Sequence, residues 1–132
     1  MQYKITISEN IDIFIEDIKE FIVDNQSYKI NSFKSIKDVY NFLKTNILKL
    51  TYIKVIKGVH SIEEIEFYFK EKKLHNLSGP AYILNVVDDM GHGLITEYKI
   101  ENYFINGKEI DYKDFHKHPE VRKAKLNRII NI

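Results

Sequence analysis

Residues 65–83, IEFYFKEKKLHNLSGPAYI, restrict the possible folds of this chain more than any other stretch. A tyrosine-containing strand, a lysine turn and an LHxxxGPA element follow one another at fixed spacing, and part of the pattern recurs at residues 97–110. Aromatic and β-branched residues favour strands, while Asn106-Gly107 tolerates the positive φ angles of a tight hairpin turn. The spacing therefore predicts an antiparallel meander, with strands near 65–71, 80–87 and 95–105 and a short return after Asn106-Gly107.

The residues before it read differently. Tyr3, Ile5 and Ile7 alternate with Lys4 and Thr6, as in a half-buried strand, and Ser8 to Asn10 end it. Ile11, Phe14, Ile15, Ile18 and Ile22 fall at helical spacing opposite Glu16, Asp17, Lys19 and Glu20, which predicts an amphipathic helix ending near Asp24 or Asn25. Ser35 with Asp38 has capping-box spacing, and Ile36, Val39, Tyr40, Leu43, Ile47 and Leu50 supply the stripe of a second helix. Tyr52 to Lys57 reads as a strand ended by Gly58, and Ser61 to Glu64 has the spacing for one helical turn. Pro119 suits the first position of a closing helix. The expected fold class is α+β, an antiparallel β-meander packed against two N-terminal helices, with a C-terminal helix. One domain over 1–132 is expected: a strand-helix-helix-strand part (1–60), the meander (61–111) and a basic helix (112–132).

At 132 residues, 44% hydrophobic and 30% charged, the chain fits a single globular core. No stretch approaches the roughly 18 apolar residues of a membrane span, and MQYKITISEN lacks the continuous apolar region of a secretory signal, so cytoplasmic localisation is expected. The absence of cysteine excludes disulfides, thiolate metal sites and cysteine nucleophiles. Isoleucine, lysine and asparagine abound, whereas alanine stands only at 81 and 124 and arginine only at 122 and 128. That bias fits an AT-rich genome, such as a low-GC bacterium or its phage.

Catalytic signals are thin. His116 and His118 are two apart, which places them on opposite sides of a strand or about 200° apart on a helix, so they make no two-histidine metal face. His60, His75 and His92 have no carboxylate at a telling distance. Asp88-Asp89-Met90-Gly91-His92-Gly93 lacks the ligand spacing of a calcium loop and the lysine-serine end of a P-loop, so it reads as a connection between strands. No enzyme activity, metal or cofactor is expected.

Charge is more telling. Residues 112–132 hold Lys113, Lys117, Arg122, Lys123, Lys125 and Arg128 against Asp114 and Glu120, a net +4, which leaves −3 for the remainder of a chain of net +1. The basic helix reads first as a docked helix whose long stems lie along its apolar edge, and alternatively as a nucleic-acid contact through Arg122, Lys123, Lys125 and Arg128. Glu16, Asp17, Glu20 and Asp24 would form an acidic helix face able to imitate nucleic-acid charge. An unpaired meander edge can recruit an identical edge, so a homodimer is expected.

Tyr68, Lys73, Leu74, His75, Gly79, Pro80 and Ala81, followed by Glu97-Tyr98 and Tyr103-Phe104-Ile105-Asn106-Gly107-Lys108, resemble the LHxxxGPA / YFINGK repeat module of uncharacterised phage and giant-virus proteins. Glu71-Lys72 stands where that module has Asn-Gly, and Ser78 where it has Asp. The second copy keeps the tight turn but lacks Leu-His and Gly-Pro-Ala, and Glu109 to Phe115 is similar to the module's terminal cap. The match covers about residues 65–118. The resemblance implies a β-meander and a phage or prophage origin, and brings no established activity with it. The expected function is a small accessory protein that binds a host protein or ribonucleoprotein in the host cytoplasm, such as an anti-CRISPR-like inhibitor of host defence. The alternative is an RNA- or DNA-binding protein.

Overall fold

The computed structural model describes residues 3–56, 61–89 and 93–130, and within them the chain is predominantly antiparallel β. Strands β1 (Lys4–Ser8) and β2 (Ile11–Phe14) form a separate two-stranded ribbon. The main sheet contains β3 (Glu20–Val23), β4 (Gln26–Lys29), β5 (Lys49–Ile56), β6 (Ser61–Lys70), β7 (Lys73–Leu74), β8 (Tyr82–Asp89), β9 (Ile95–Ile105) and β10 (Lys108–Ile110). Its order is β10-β9-β8-β6-β5-β3-β4, with β7 paired to β6. Helices α1 (Ile36–Leu43), α2 (Tyr112–Phe115) and α3 (Pro119–Ile130) complete it. Gly58, expected to end a strand, and His60, Met90, Gly91 and His92 lie outside the described residues.

The expected pair of N-terminal helices is not present, and the α+β class is corrected to a sheet-dominated fold with three short helices. Residues 11–25 form β2, a 3-10 turn over Ile15–Asp17, and β3. The isoleucines satisfied two periods at once. Ile13 and Ile15, and Phe21 and Val23, alternate inward at 4% exposure or less, whereas Ile22 of the supposed helical stripe is 43% exposed. Such β-branched residues gain more from a pleated surface than from a helix, where χ1 is confined. Asp24 and Asn25, placed at the helix end, instead take φ 48° and 71° and turn β3 into β4. Ser61 to Glu64 opens β6 and makes no helical turn.

Only α1 survives from the N-terminal pair, shortened to eight residues. The Ser35 hydroxyl accepts from the Asp38 N–H at 3.2 Å, as the capping pair predicts. Beyond Leu43 the stripe changes role: Ile47 precedes the sheet and Leu50 lies inside β5.

The inner face of the sheet, bearing Phe21, Leu50, Tyr52, Ile65, Phe67 and Phe69, is covered by the β1–β2 ribbon and α1 through Ile13, Ile15, Ile18, Val39 and Leu43. Phe21 stacks on Tyr28 at 5.5 Å, and Phe33 and Phe42 close that ring cluster. Each fully buried side chain, such as Phe21 or Phe67, contributes about 1.5–3 kcal/mol. On the opposite face α2 and α3 cover only the β9–β10 corner, through Ile105, Phe115 and Val121.

These two coverings repeat one design. A two-residue turn, Asp24-Asn25 or Asn106-Gly107, is followed eight residues later by Phe33 or Phe115 and six further by Val39 or Val121, both fully buried. Phe33 lies 6.0 Å from Phe21, and Phe115 lies 4.6 Å from Tyr103, the equivalent strand position. One hairpin-helix unit thus stands at each end of the strand order.

Candidate binding surfaces

The LHxxxGPA element is the hinge between the two recurring turns. Tyr68 of β6 accepts from the His75 N–H (2.9 Å) and donates its own N–H to Ala81 (2.8 Å), so β7 and β8 share one slot beside β6 and residues 76–80 loop out of it. Asn76 ties the loop, accepting from the Ser78 N–H and donating to the Pro80 carbonyl, both at 3.0 Å. The second turn docks here. Gly107 donates to the Leu74 carbonyl (2.8 Å), the Asn106 N–H donates to His75 Nδ1 (2.9 Å), and Asn76 donates to the Phe104 carbonyl (3.2 Å). Leu74 and His75 therefore receive the Asn106-Gly107 turn.

That geometry defines the chemistry of His75. Burial, and then the Lys70 charge, hold its imidazole below the ordinary histidine value, with Glu120 opposing. Its Nδ1 lone pair is committed to a backbone N–H, so the side chain is a fixed acceptor, not a base open to substrate. His116 Nδ1 meets Lys125 Nζ at 2.7 Å, and His118 Nδ1 accepts from the Glu120 N–H at 3.2 Å, capping the helix that Pro119 begins. Among the described residues no three His, Asp or Glu side chains gather as metal ligands.

The inner face also carries polar side chains. Asp17 Oδ2 lies 3.3 Å from Lys54 Nζ, and Tyr52 nearby is 5% exposed. Burial, then Tyr82, Asp17 and Glu63, push the Tyr52 phenol far above its usual range, which keeps it protonated. A 190 Å³ cleft between β1 and the sheet is lined by Ile5, Ile13, Leu43, Ile47, Leu50 and Phe69, with Thr6, Lys44, Thr45 and Lys72 as its polar margin. It supplies an apolar wall without an acid–base pair.

The four acidic residues do not share a helix face. Glu16 and Asp17 sit in the 3-10 turn, Glu20 opens β3, and Asp24 lies in the β3–β4 turn. Three of them have internal partners. Glu16 accepts from the Tyr3 N–H (2.6 Å), Asp17 pairs with Lys54, and Asp24 Oδ1 accepts from the N–H groups of Leu48 and Lys49, each at 2.9 Å.

The basic residues do share a helix. α3 docks through Val121, with Ala124 and Lys125 half-buried, and from Leu126 to Ile129 every residue is exposed. The seat is the looped-out segment: Leu77 packs against Val121 and Phe115, and Arg128 donates to Ser78 Oγ at 3.2 Å. Arg122, Lys123 and Arg128 are exposed, beside Leu126 (56%) and Ile129 (67%). The helix thus docks by the side bearing Val121, with Arg128 tied to Ser78, and presents Arg122, Lys123, Leu126 and Ile129 to solvent. No role for Leu77 in seating α3 was visible in the sequence, because nothing local marks a contact 44 residues away.

One other surface is open. β10 pairs only with Tyr103–Ile105, so the Ile95–Glu101 stretch of β9 has β8 on one side and no strand on the other among the described residues.

No family model, curated protein or solved structure matches the chain. The resemblance over residues 65–118 therefore stands on its motif residues alone. No helix among the described residues is long and apolar enough to cross a membrane.

Proposed function

We propose that the protein is a binding protein of the phage or prophage accessory kind that engages a nucleic-acid-bearing host target, a defence ribonucleoprotein being the example its repeat-like motif points to. α3 is the contact. The observation that carries this reading is the solvent face of α3, where exposed Arg122, Lys123 and Arg128 share the helix with uncovered Leu126 and Ile129. Guanidinium and ammonium groups on a protruding helix can reach phosphates, and the aliphatic pair can cover bases or an adjoining protein surface. The acidic residues support a protein-only partner less well, since Glu16, Asp17 and Asp24 are engaged within the fold.

Fluorescence anisotropy with labelled single-stranded RNA tests the reading. Replacing Arg122, Lys123, Lys125 and Arg128 with glutamine is expected to abolish binding at low salt while leaving the circular dichroism spectrum unchanged. Equal binding by wild type and variant, or no binding by the wild type, refutes it.

A further inference from the structure

The open stretch of β9 is long for an unprotected edge, and it carries its own complement. Ile105 and Lys108 flank the two-residue turn, so the N–H and C=O of Ile105 face β10; with the period of two, those of Glu101, Lys99, Glu97 and Ile95 face the same way. The intervening residues face β8, as the carbonyls of Phe104 and Asn102 confirm by accepting from Asn76 and Ala81. Among the described residues, the seven-residue stretch Ile95–Glu101 therefore presents an unpaired ladder through Ile95, Glu97, Lys99 and Glu101. Ile95 (64%), Tyr98 (52%) and Ile100 (43%) are exposed along it.

We propose that a second copy of this chain pairs antiparallel with that edge, with a two-fold axis at Tyr98. The midpoint of Ile95–Glu101 is Tyr98, so the register that uses the whole open stretch is also the symmetric one. In it Glu97 faces Lys99 of the second copy, and Lys99 faces Glu97, giving two opposite-charge cross-strand pairs; Tyr98 meets its own copy. Shifting the axis to Glu97 or Lys99 places a like-charge pair at the centre, which is unfavourable. Shifting it to Ile100 leaves only Lys99 and Glu101 to pair, because the next ladder partner of Glu97 would be Tyr103, which β10 already holds. The two-fold axis stands normal to the sheet, so both α3 helices lie on the same face of one continuous sheet. The dimer thereby presents two cationic helices together, although its formation does not depend on what they bind.

The edge is narrow, so a weak dimer is expected, seen by sedimentation velocity at protein concentrations on the order of 100 µM. Lys99→Glu, at an exposed position, sets like charges opposite each other in both pairs and is expected to weaken dimerisation at least about tenfold; Glu97→Lys combined with Lys99→Glu restores it. The chain contains no cysteine, so single cysteines report the register. Tyr98→Cys places two thiols at a non-hydrogen-bonded pair, about 4.5 Å between Cα atoms, within reach of a disulfide. Oxidised glutathione is expected to cross-link Tyr98→Cys and not Ile100→Cys. A wild type that stays monomeric, a Lys99→Glu dimer of undiminished affinity, or cross-linking through position 100 instead of 98 overturns the proposal.

Discussion

Asp24 separates a structural role from a binding one. Its carboxylate accepts two backbone N–H groups, from Leu48 and Lys49, each at 2.9 Å, and its backbone sits at φ 48°. At this exposed site each charge-assisted bond contributes about 1 kcal/mol, and an alanine forced into the left-handed region costs about 1 more, so Asp24→Ala loses roughly 3 kcal/mol. Asp24→Asn keeps an acceptor at the same place and tolerates the backbone, so it loses about 1 kcal/mol or less. With a urea dependence of about 2 kcal/mol per molar, the unfolding midpoint falls by roughly 1.5 M for alanine and by about 0.5 M for asparagine. Equilibrium urea unfolding followed by circular dichroism reads both. If the two variants unfold together, or alanine stays within about 0.2 M of wild type, then Asp24 does not clasp the start of β5.

Two further outcomes follow from the repeat-like core. The His75 imidazole is held below the ordinary value of 6.5, so between the folded and unfolded pKa the unfolded chain binds the proton that the folded one excludes. Stability is full above 6.5 and falls as the pH drops through the folded value, and His75→Asn, which keeps an acceptor for the Asn106 N–H, is expected to flatten this part of the profile in urea titrations from pH 7.5 to 5. An unchanged slope in the variant would show that the loss arises elsewhere. Lys72 turns at φ 67°, so Lys72→Gly is expected to stabilise by about 1 kcal/mol, whereas Gly107→Ala, at φ 84° with its new Cβ 3.3 Å from Lys73 Cβ, loses roughly 1–2 kcal/mol. Thermal melts that move together in these two variants would contradict the turn assignment.

The meander was legible because its signals are local. The β9 limits, Ile95–Ile105, are those the alternation predicts, and Asn106-Gly107 forms the expected turn. Glu71-Lys72 forms the same kind of turn without the favoured residues, because the strands it joins hold the register. Residues 11–25 misled because Ile11, Phe14, Ile15, Ile18 and Ile22 fit a helical stripe while Ile11, Ile13 and Ile15, and then Phe21 and Val23, fit strand alternation, and the choice is made by distant partners: Phe21 faces Tyr52, and Val23 faces Leu50. The basic residues of α3 could be named from the sequence, but not which of them the fold leaves exposed. That depends on Leu77 and Ser78, whose loop exists only because β7 and β8 share a slot beside β6. The acidic residues fared differently: their supposed common face vanished with the helix that would have displayed it.

The dimer edge and the cationic helices combine into one account of a polyanion-binding protein, and the salt dependence of RNA binding tests it most directly. If Arg122, Lys123, Lys125 and Arg128 each neutralise one phosphate of a single strand, log affinity falls with log salt at a slope of about −3 per helix. Raising salt from 50 to 200 mM then weakens binding roughly 50-fold. A slope near zero, or no binding at 50 mM salt, contradicts the account.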